Sequence, residues 1–460
     1  MIAMKFGGTS VGEPKAIRRV AEIIRSRLAK RPAVVVSAVA KTTDELVSLG
    51  EAAASANRDR ADDLIGWILE RHIKLIADLG LDGDATLSQV LIQAREGLTE
   101  VRQRFEEAGK VEPMLMDLCL STGEFLSSHI LVSYLNSQDI EAVWVDAREA
   151  IVTDSRFGSA RPLFSESRRL ASRSFEPILE ERKVPVMQGF VGADVRGRTT
   201  TFGRGGSDYS ATFLGALLGA ETVEIWTDVD GVLTADPSLV PEARRIRKMT
   251  FEEASELAYF GAKVLHPSTL RPAIERGIPV SVLNSMKPEV EGTKITRSSE
   301  GDRCGEATVK SIAYKEGLSV LNITSTRMLM AYGFLSSIFR IFNQFETPVD
   351  LVATSEVSVS VTVDRRERID QIVSALSEFS EVKVQHGKAI VCCVGEDICR
   401  EPGMPAQVFG ELEGIRINLI SQGASRINIS FVINESDLFD VVNRLHRRFF
   451  SGQSGEGVLA

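Results

Sequence analysis

MIAMKFGGTSVG, residues 1–12, runs an apolar strand into Lys5, a Gly7-Gly8 turn and the two hydroxyls of Thr9 and Ser10. Pro14 then stands at a first-turn position of a helix. Two glycines let the backbone turn tightly and bring bare N–H groups against an anion. Lys5 adds a point charge, Thr9 and Ser10 add donors, and the helix N-terminus adds its dipole. A strand that ends this way is the phosphate-binding edge of an α/β sheet. Its glycine spacing is neither that of a Walker loop nor that of a dinucleotide fingerprint.

Outward from this turn, strand and helix patterns alternate to about residue 295. Ala33–Ser37 is a β-branched strand, and further strands fall at Val143–Val145, Val184–Gln188, Thr199–Phe202, Thr222–Thr227 and Val280–Leu283. Alternation of this kind predicts a three-layer α/β domain over 1–295 with a mostly parallel central sheet. Residues 58–118 form a helical lobe on it, with Leu87, Leu91, Ala94, Leu98, Val101 and Phe105 on one helix face.

The chain changes character after the polar stretch Lys287–Gly305. VDLVATSEVSVSVTVD (349–364) parallels INLISQGASRINISFVIN (417–434), an internal repeat of about 70 residues. Two ferredoxin-like α+β modules are expected. The Gly/Ser-rich stretch 451–460 reads as a flexible tail.

Composition narrows the function. A formal net charge of −9 argues against a nucleic-acid binder. The five cysteines (119, 304, 392, 393, 399) form no CxxC pair, and there are only five His and no HExxH, so no zinc site is expected. No apolar run reaches membrane-spanning length, and no signal pattern opens the chain. A cytoplasmic protein without a membrane partner is expected.

Four segments supply the parts of phosphoryl transfer, which is mostly positioning and charge neutralisation. They are Lys5–Ser10; Ser121-Thr-Gly-Glu124, read as opening a helix after the apolar run Met114–Leu120; Gly203-Arg204-Gly-Gly-Ser-Asp208 between a strand and a helix; and Trp226-Thr227-Asp228-Val-Asp230-Gly231, leading to Asp236. Each has a plainer reading. Glu124 alone could be a helix-end charge, Arg204 and Asp208 a surface ion pair, Asp228 and Asp230 turn residues, and Lys263 an exposed helix lysine.

The motifs KFGGTSV (5–11), STGE (121–124), GRTTTFGRGGSDYSA (197–211), WTDVDGVLTADP (226–237), FGAKVLHP (260–267) and SEVSVSVTVD (355–364), in this order, resemble the aspartokinase family. The likeness runs from Met4 to about Phe450 and is greatest to the monofunctional, lysine-sensitive type with two C-terminal ACT modules. It implies an amino-acid kinase fold and ATP-dependent phosphorylation of the L-aspartate β-carboxylate to 4-phospho-L-aspartate, the first step towards lysine, threonine and methionine. Lys5 and the Gly7 and Gly8 amides would hold the transferring phosphoryl group, and Asp208 would orient Lys5 or the acceptor. Glu124 would take the aspartate ammonium and Arg204 its α-carboxylate, with Ser37 and Thr43 in the substrate loop. Thr227, Asp228, Asp236 and Lys263 would line the nucleotide site, and Mg²⁺ would ride on phosphate oxygens with no dedicated protein ligands. An amino-acid effector, lysine first and threonine second, would lie near Met328, Gly333, Phe334, Leu335, Asp350, Ser355, Glu356 and Val357. The first ACT module (317–387) would be inserted into the second (307–316 with 388–450), and module pairing would make a homodimer, or a tetramer when inhibited. Other amino-acid kinases and a non-catalytic amino-acid sensor are the competing readings. At this length no homoserine dehydrogenase half is expected.

Overall fold

The computed structural model describes residues 1–261, 267–297, 309–325, 332–364 and 366–451. The chain divides into two compact units. Unit 1 holds Met1–Val232, Arg247–Phe251 and the described part of Val264–Ser299. Unit 2 holds Leu233–Ile246 and the described parts of Glu252–Lys263 and Glu300–Ala460.

The strands of unit 1 are β1 (Ile2–Phe6), β2 (Pro32–Val36), β3 (Ala142–Val145), β4 (Val152–Thr153), β5 (Val184–Gln188), β6 (Val191–Asp194), β7 (Thr199–Thr201), β8 (Thr222–Thr227), β9 (Lys248–Thr250), β10 (Val280–Asn284) and β11 (Thr293–Thr296). Its helices are α1 (Pro14–Arg25), α2 (Thr42–Ala54), α3 (Arg58–Asp78), α4 (Ala85–Ala108), α5 (Pro113–Ser137), α6 (Ala147–Ala150), α7 (Phe164–Glu180), α8 (Gly206–Leu218) and, after α9 (Phe251–Tyr259), the short α10 (Arg271–Arg276).

The main sheet has the order β3-β5-β2-β1-β8-β10-β11-β9. Neighbours from β3 to β10 are parallel, and β11 runs against β10. Burial on both faces explains why β2 reads as an unbroken apolar run, with Val34, Val35 and Val36 all fully covered. Ile2, Met4 and Phe6 of β1 pack with α1 and α5 in one cluster. The alternate residues face the other way, where a Cβ on Gly215 of α8 would lie 3.6 Å from the Ala3 Cβ. Lys5, two residues on from Ala3, therefore points to the α8 side. β4, β6 and β7 make a separate small sheet.

α2 to α5 form the helical lobe. Leu46 and Leu49, Ile65 and Ile68, Leu98 and Phe105, and Leu115 and Leu126 share one apolar cluster. One expectation fails here. Ser121-Thr-Gly-Glu124 does not open a helix: Pro113, at the first turn, starts α5, and the motif lies midway along it. The apolar run before it is helix as well.

Unit 2 is built on an antiparallel sheet of β12 (Ser311–Thr324), β13 (Val352–Thr354), β14 (Ser358–Val363), β15 (Glu381–Val394), β16 (Leu419–Gln422) and β17 (Asn428–Asn434), in the order β13-β14-β12-β15-β17-β16. Its helices are α11 (Phe334–Gln344), α12 (Ile369–Leu376), α13 (Met404–Gly410) and α14 (Leu438–Phe450). The two repeated segments sit at opposite edges, as β13-β14 and β16-β17. The long central strands β12 and β15 pair with each other along both halves, with the register slipping between Lys315 and Val320. Gly317 and Gly387, both at positive φ, lie at that bend. α9 is anchored within this unit: Glu253 takes the buried Lys310 ammonium at 3.1 Å, and Asn428 donates to Glu256 at 2.7 Å.

No helix among the described residues is long and apolar enough to cross a membrane.

Candidate active site

Five adjacent parallel strands, β5-β2-β1-β8-β10, deliver their C-terminal ends to one edge of unit 1, where α/β sheets bind ligands. Lys5 leaves β1, Ser37 follows β2, Thr227 ends β8 and Ser285 follows β10. Strand order reverses between β1 and β8, so the crevice opens beside Lys5.

Lys5 Nζ lies 2.6 Å from Asp208 Oδ1, and both side chains are largely covered. Asp208 stands in the first turn of α8, whose entry residue Gly205 has φ of 73°. The ion pair aims the ammonium across the Gly7-Gly8 turn. Gly8 is required there, because a Cβ would come 2.7 Å from the Ala38 carbonyl oxygen. The turn differs from expectation in two details. The Gly7 N–H is held by Trp226 O at 3.1 Å. Gly8 and Thr9, the first two residues of the short 3₁₀ turn Gly8–Val11, have no carbonyl three residues back within it to bond. Ser10 is buried with its Oγ 2.7 Å from Ser285 Oγ, so it ties β1 to β10, while Thr9 stays exposed.

Glu124 reaches the same edge from the middle of α5. It is 3% exposed, and burial raises its carboxyl to about 8, against the pull of the Ala38 N–H and the Lys5 charge. Its Oε2 is buried without a hydrogen-bond partner among the described residues. A buried carboxylate with an open oxygen is a socket for a cation. Gly123 makes the approach possible: a Cβ there would sit 2.8 Å from the Ala38 Cβ.

The loop from Ser37 to Thr43 crosses between these groups. Ser37 is fixed by its N–H to Phe6 O at 3.1 Å and by Ser127 Oγ donating to its carbonyl at 2.8 Å. Lys41 caps α2 at φ of 70°, a left-handed conformation that a lysine rarely adopts. Thr43 is half-buried in the first turn of α2. Arg204 is exposed between Gly203 and Gly205, both at positive φ, and makes no ion pair with any described residue. Thr227 donates to the exposed Asp228 at 3.2 Å. Asp236 belongs to unit 2, where Tyr314 Oη donates to it at 3.1 Å. Lys263 lies outside the described residues.

Residues 1–284 match the amino acid kinase family and residues 391–449 an ACT domain. Aspartokinase 1, chloroplastic, of Arabidopsis thaliana is 36% identical over 471 residues, covering 98% of this chain and 80% of that protein. The crystal structure of E. coli aspartokinase III in complex with aspartate and ADP (R-state) aligns with a TM-score of 0.85 at 35% identity, over 98% of this chain and all of that one. The same enzyme in complex with lysine and aspartate (T-state) aligns at 0.82 and 36% identity, with the same coverage. The chain belongs to the aspartokinase family. It is a kinase with an ACT-type C-terminal region.

In this aspartokinase the candidate effector residues do not gather at one point of a single chain. Gly333 caps α11, which carries Phe334 and the exposed Leu335. Ser355, Glu356 and Val357 form the exposed turn between β13 and β14, where Ser355 Oγ is 2.7 Å from Ser358 Oγ. Asp350 lies five residues back along the hairpin, roughly 15 Å at strand rise. Its side chain is nearly buried and already paired: Lys315 Nζ at 2.8 Å and Tyr259 Oη at 3.0 Å both donate to Oδ1. Lys315 also meets Asp364 at 2.9 Å. Its Oδ2 has no hydrogen-bond partner among the described residues. Sequence reasoning missed Lys315 and Tyr259, which no motif flags. Met328 lies outside the described residues.

Proposed function

We propose that this chain transfers the γ-phosphoryl group of ATP to the β-carboxylate of L-aspartate, giving 4-phospho-L-aspartate, as the entry step to lysine, threonine and methionine. The observation that carries the reading is the buried Glu124 carboxylate, open at Oε2, beside the Lys5–Asp208 pair. An α-amino acid brings an ammonium for Glu124 and an α-carboxylate for the unpaired Arg204 guanidinium. The side-chain carboxylate then faces the Gly8 and Thr9 amides and Lys5. It is ionised at neutral pH and attacks without a general base. Lys5, held by Asp208, neutralises charge on the phosphoryl oxygens as they move, and a positioned charge of this kind acts most strongly in the transition state. Thr227 and Asp228 would line the nucleotide side of the crevice.

The described residues hold no group of three or more His, Cys, Asp or Glu side chains placed to bind a metal. Mg²⁺ would be carried on nucleotide phosphate oxygens, where it would neutralise charge.

The ACT region is proposed to bind an amino-acid effector, lysine first and threonine second, between two copies of the chain. The wide separation of Asp350 from Ser355–Val357 supports a site completed by a second module. So does the exposed apolar set Leu335, Phe339, Val352 and Val357. A homodimer follows, with a tetramer in the inhibited state.

Incubation with ATP, Mg²⁺ and each of the common amino acids in hydroxylamine tests the assignment. Aspartyl hydroxamate is the expected product. Trapping with glutamate and none with aspartate would overturn it.

A further inference from the structure

We infer that Asp117 is a positioning residue that sets the spacing between Glu124 and Arg204, an inference that rests on the proposed binding of an amino acid by those two residues. Asp117 is fully buried on α5. Its carboxylate takes the Gly158 N–H, 2.9 Å from both oxygens. It also takes the Thr201 N–H at 3.0 Å and the Thr201 hydroxyl at 2.6 Å. No cation contributes to its environment: burial pushes its carboxyl up, and only these hydrogen bonds pull it back. A buried carboxylate met only by two backbone amides and one hydroxyl is costly to keep and expensive to leave unmet.

Thr201 lies in the segment that carries Arg204, and Gly158 belongs to an earlier loop that packs against it. Thr201 ends β7, two residues before Gly203, and its carbonyl takes the Ala160 N–H at 2.8 Å. Gly158, at φ of 81°, packs on the same turn: a Cβ on Gly203 would come 3.0 Å from Gly158 O. Gly203 O in turn takes the Gly206 N–H at the start of α8. On the other side, Asp117 and Glu124 are seven residues apart on one helix, so they share a face about 10 Å apart along its axis. Asp117 thus ties the helix that offers the ammonium acceptor to the loop that offers the carboxylate clamp. It touches neither substrate nor phosphate.

The test pairs hydrogen exchange with kinetics. In Asp117→Ala, exchange in the peptide 199–208 should speed up. The KM for aspartate should rise about tenfold or more, while the KM for ATP stays within about twofold. Asp117→Asn should fall between, because its one oxygen can still take both N–H groups while the Thr201 hydroxyl turns to accept. In an Arg204→Ala background, Asp117→Ala should add less than about twofold to the aspartate KM, since the two act through one clamp. Unchanged exchange overturns the inference whatever the enzyme phosphorylates. Faster exchange with an unaltered aspartate KM, or full additivity with Arg204→Ala, reduces Asp117 to a structural role. If Asp117→Ala does not fold, Thr201→Val removes one of the bonds alone and should raise the aspartate KM severalfold; no change there counts against the inference. A parent enzyme that phosphorylates another amino acid refutes the proposed substrate only, and the same comparison is then made on that substrate.

Discussion

Glu124→Gln offers a test whose size follows from burial. Glu124 is 3% exposed, and desolvation lifts its carboxyl from 4.5 to about 8. At pH 7 such a group is ionised in roughly one molecule in ten, and at pH 9 in roughly nine in ten. The aspartate ammonium needs the ionised form. The kcat/KM for aspartate, which reports the free enzyme, should therefore rise about tenfold from pH 7 to pH 9. Once the ammonium is bound it holds the carboxylate ionised, so kcat should vary little. Glutamine cannot ionise, so the variant loses this limb. It also loses a charge-assisted hydrogen bond of about 1.5–3 kcal/mol, roughly 10- to 150-fold in kcat/KM at pH 9. Titration of the substrate's own ammonium is common to both enzymes and cancels in their ratio. Stability moves the other way. The folded pKa is raised, so between pH 4.5 and about 8 the folded state holds more protons than the unfolded one, and stability falls as pH rises through that window. Relative to glutamine the ionised carboxylate costs a few kcal/mol, at about 1.4 kcal/mol for each tenfold gain in proton affinity on folding. The variant should melt above the parent at pH 9 and near it at pH 5. A parent profile that is flat between pH 6.5 and 8.5, or a glutamine variant that keeps the limb, would refute the reasoning.

Lys5→Met removes a charge that matters most as the phosphoryl group moves, so kcat should fall by about 10²-fold or more, measured at saturating ATP and aspartate. A variant within a factor of two of the parent would leave Lys5 a strand-end charge paired to Asp208. Asp350→Ala should relieve inhibition by lysine with uninhibited kcat nearly unchanged, read from inhibition curves. Because Lys315 competes for the Asp350 carboxylate, Lys315→Met should tighten lysine inhibition by removing the cation paired with it and leaving only the Tyr259 hydroxyl on Oδ1. Insensitivity of the parent to both lysine and threonine at about millimolar levels would sink the effector assignment.

The kinase edge was legible because its parts are local. Lys5, the two glycines and the start of α1 fall within fourteen residues, and the alternation of buried strands with helices needs no long-range knowledge. Sequence reading went wrong where a residue serves a distant partner. Gly123 looks like a turn residue, yet it lies inside α5 and is small to admit Ala38. Ser10 looks like a phosphate donor, yet its hydroxyl meets Ser285, 275 positions away. Asp117 is hidden in an apolar run, with partners 41 and 84 positions away. A lone carboxylate on the buried face of an apolar helix, seven residues before Glu124, was the available signal. The C-terminal repeat was readable from its own similarity. The continuity of β12 and β15 across both copies was not, since Gly317 and Gly387 read as breaks and serve as bends.

The charges of the active edge explain why one carboxylate is paired and the other is not. Lys5 can fully neutralise only one neighbour, and the geometry gives it to Asp208 at 2.6 Å. Glu124 then has only a weaker share of that charge, and in a buried place its cheapest empty state is protonated. With Glu124 neutral, the Lys5 ammonium and the Asp208 carboxylate balance each other, and the Arg204 guanidinium is left for a ligand carboxylate. In the proposed binding mode, an arriving amino-acid ammonium would convert Glu124 to its ionised form and supply the counter-charge in the same step. A ligand with a carboxylate but no ammonium would leave Glu124 protonated and gain nothing from it. On the proposed assignment, the high carboxyl pKa would be the means by which a single buried glutamate makes an ammonium a condition of binding, while Lys5 stays committed to Asp208.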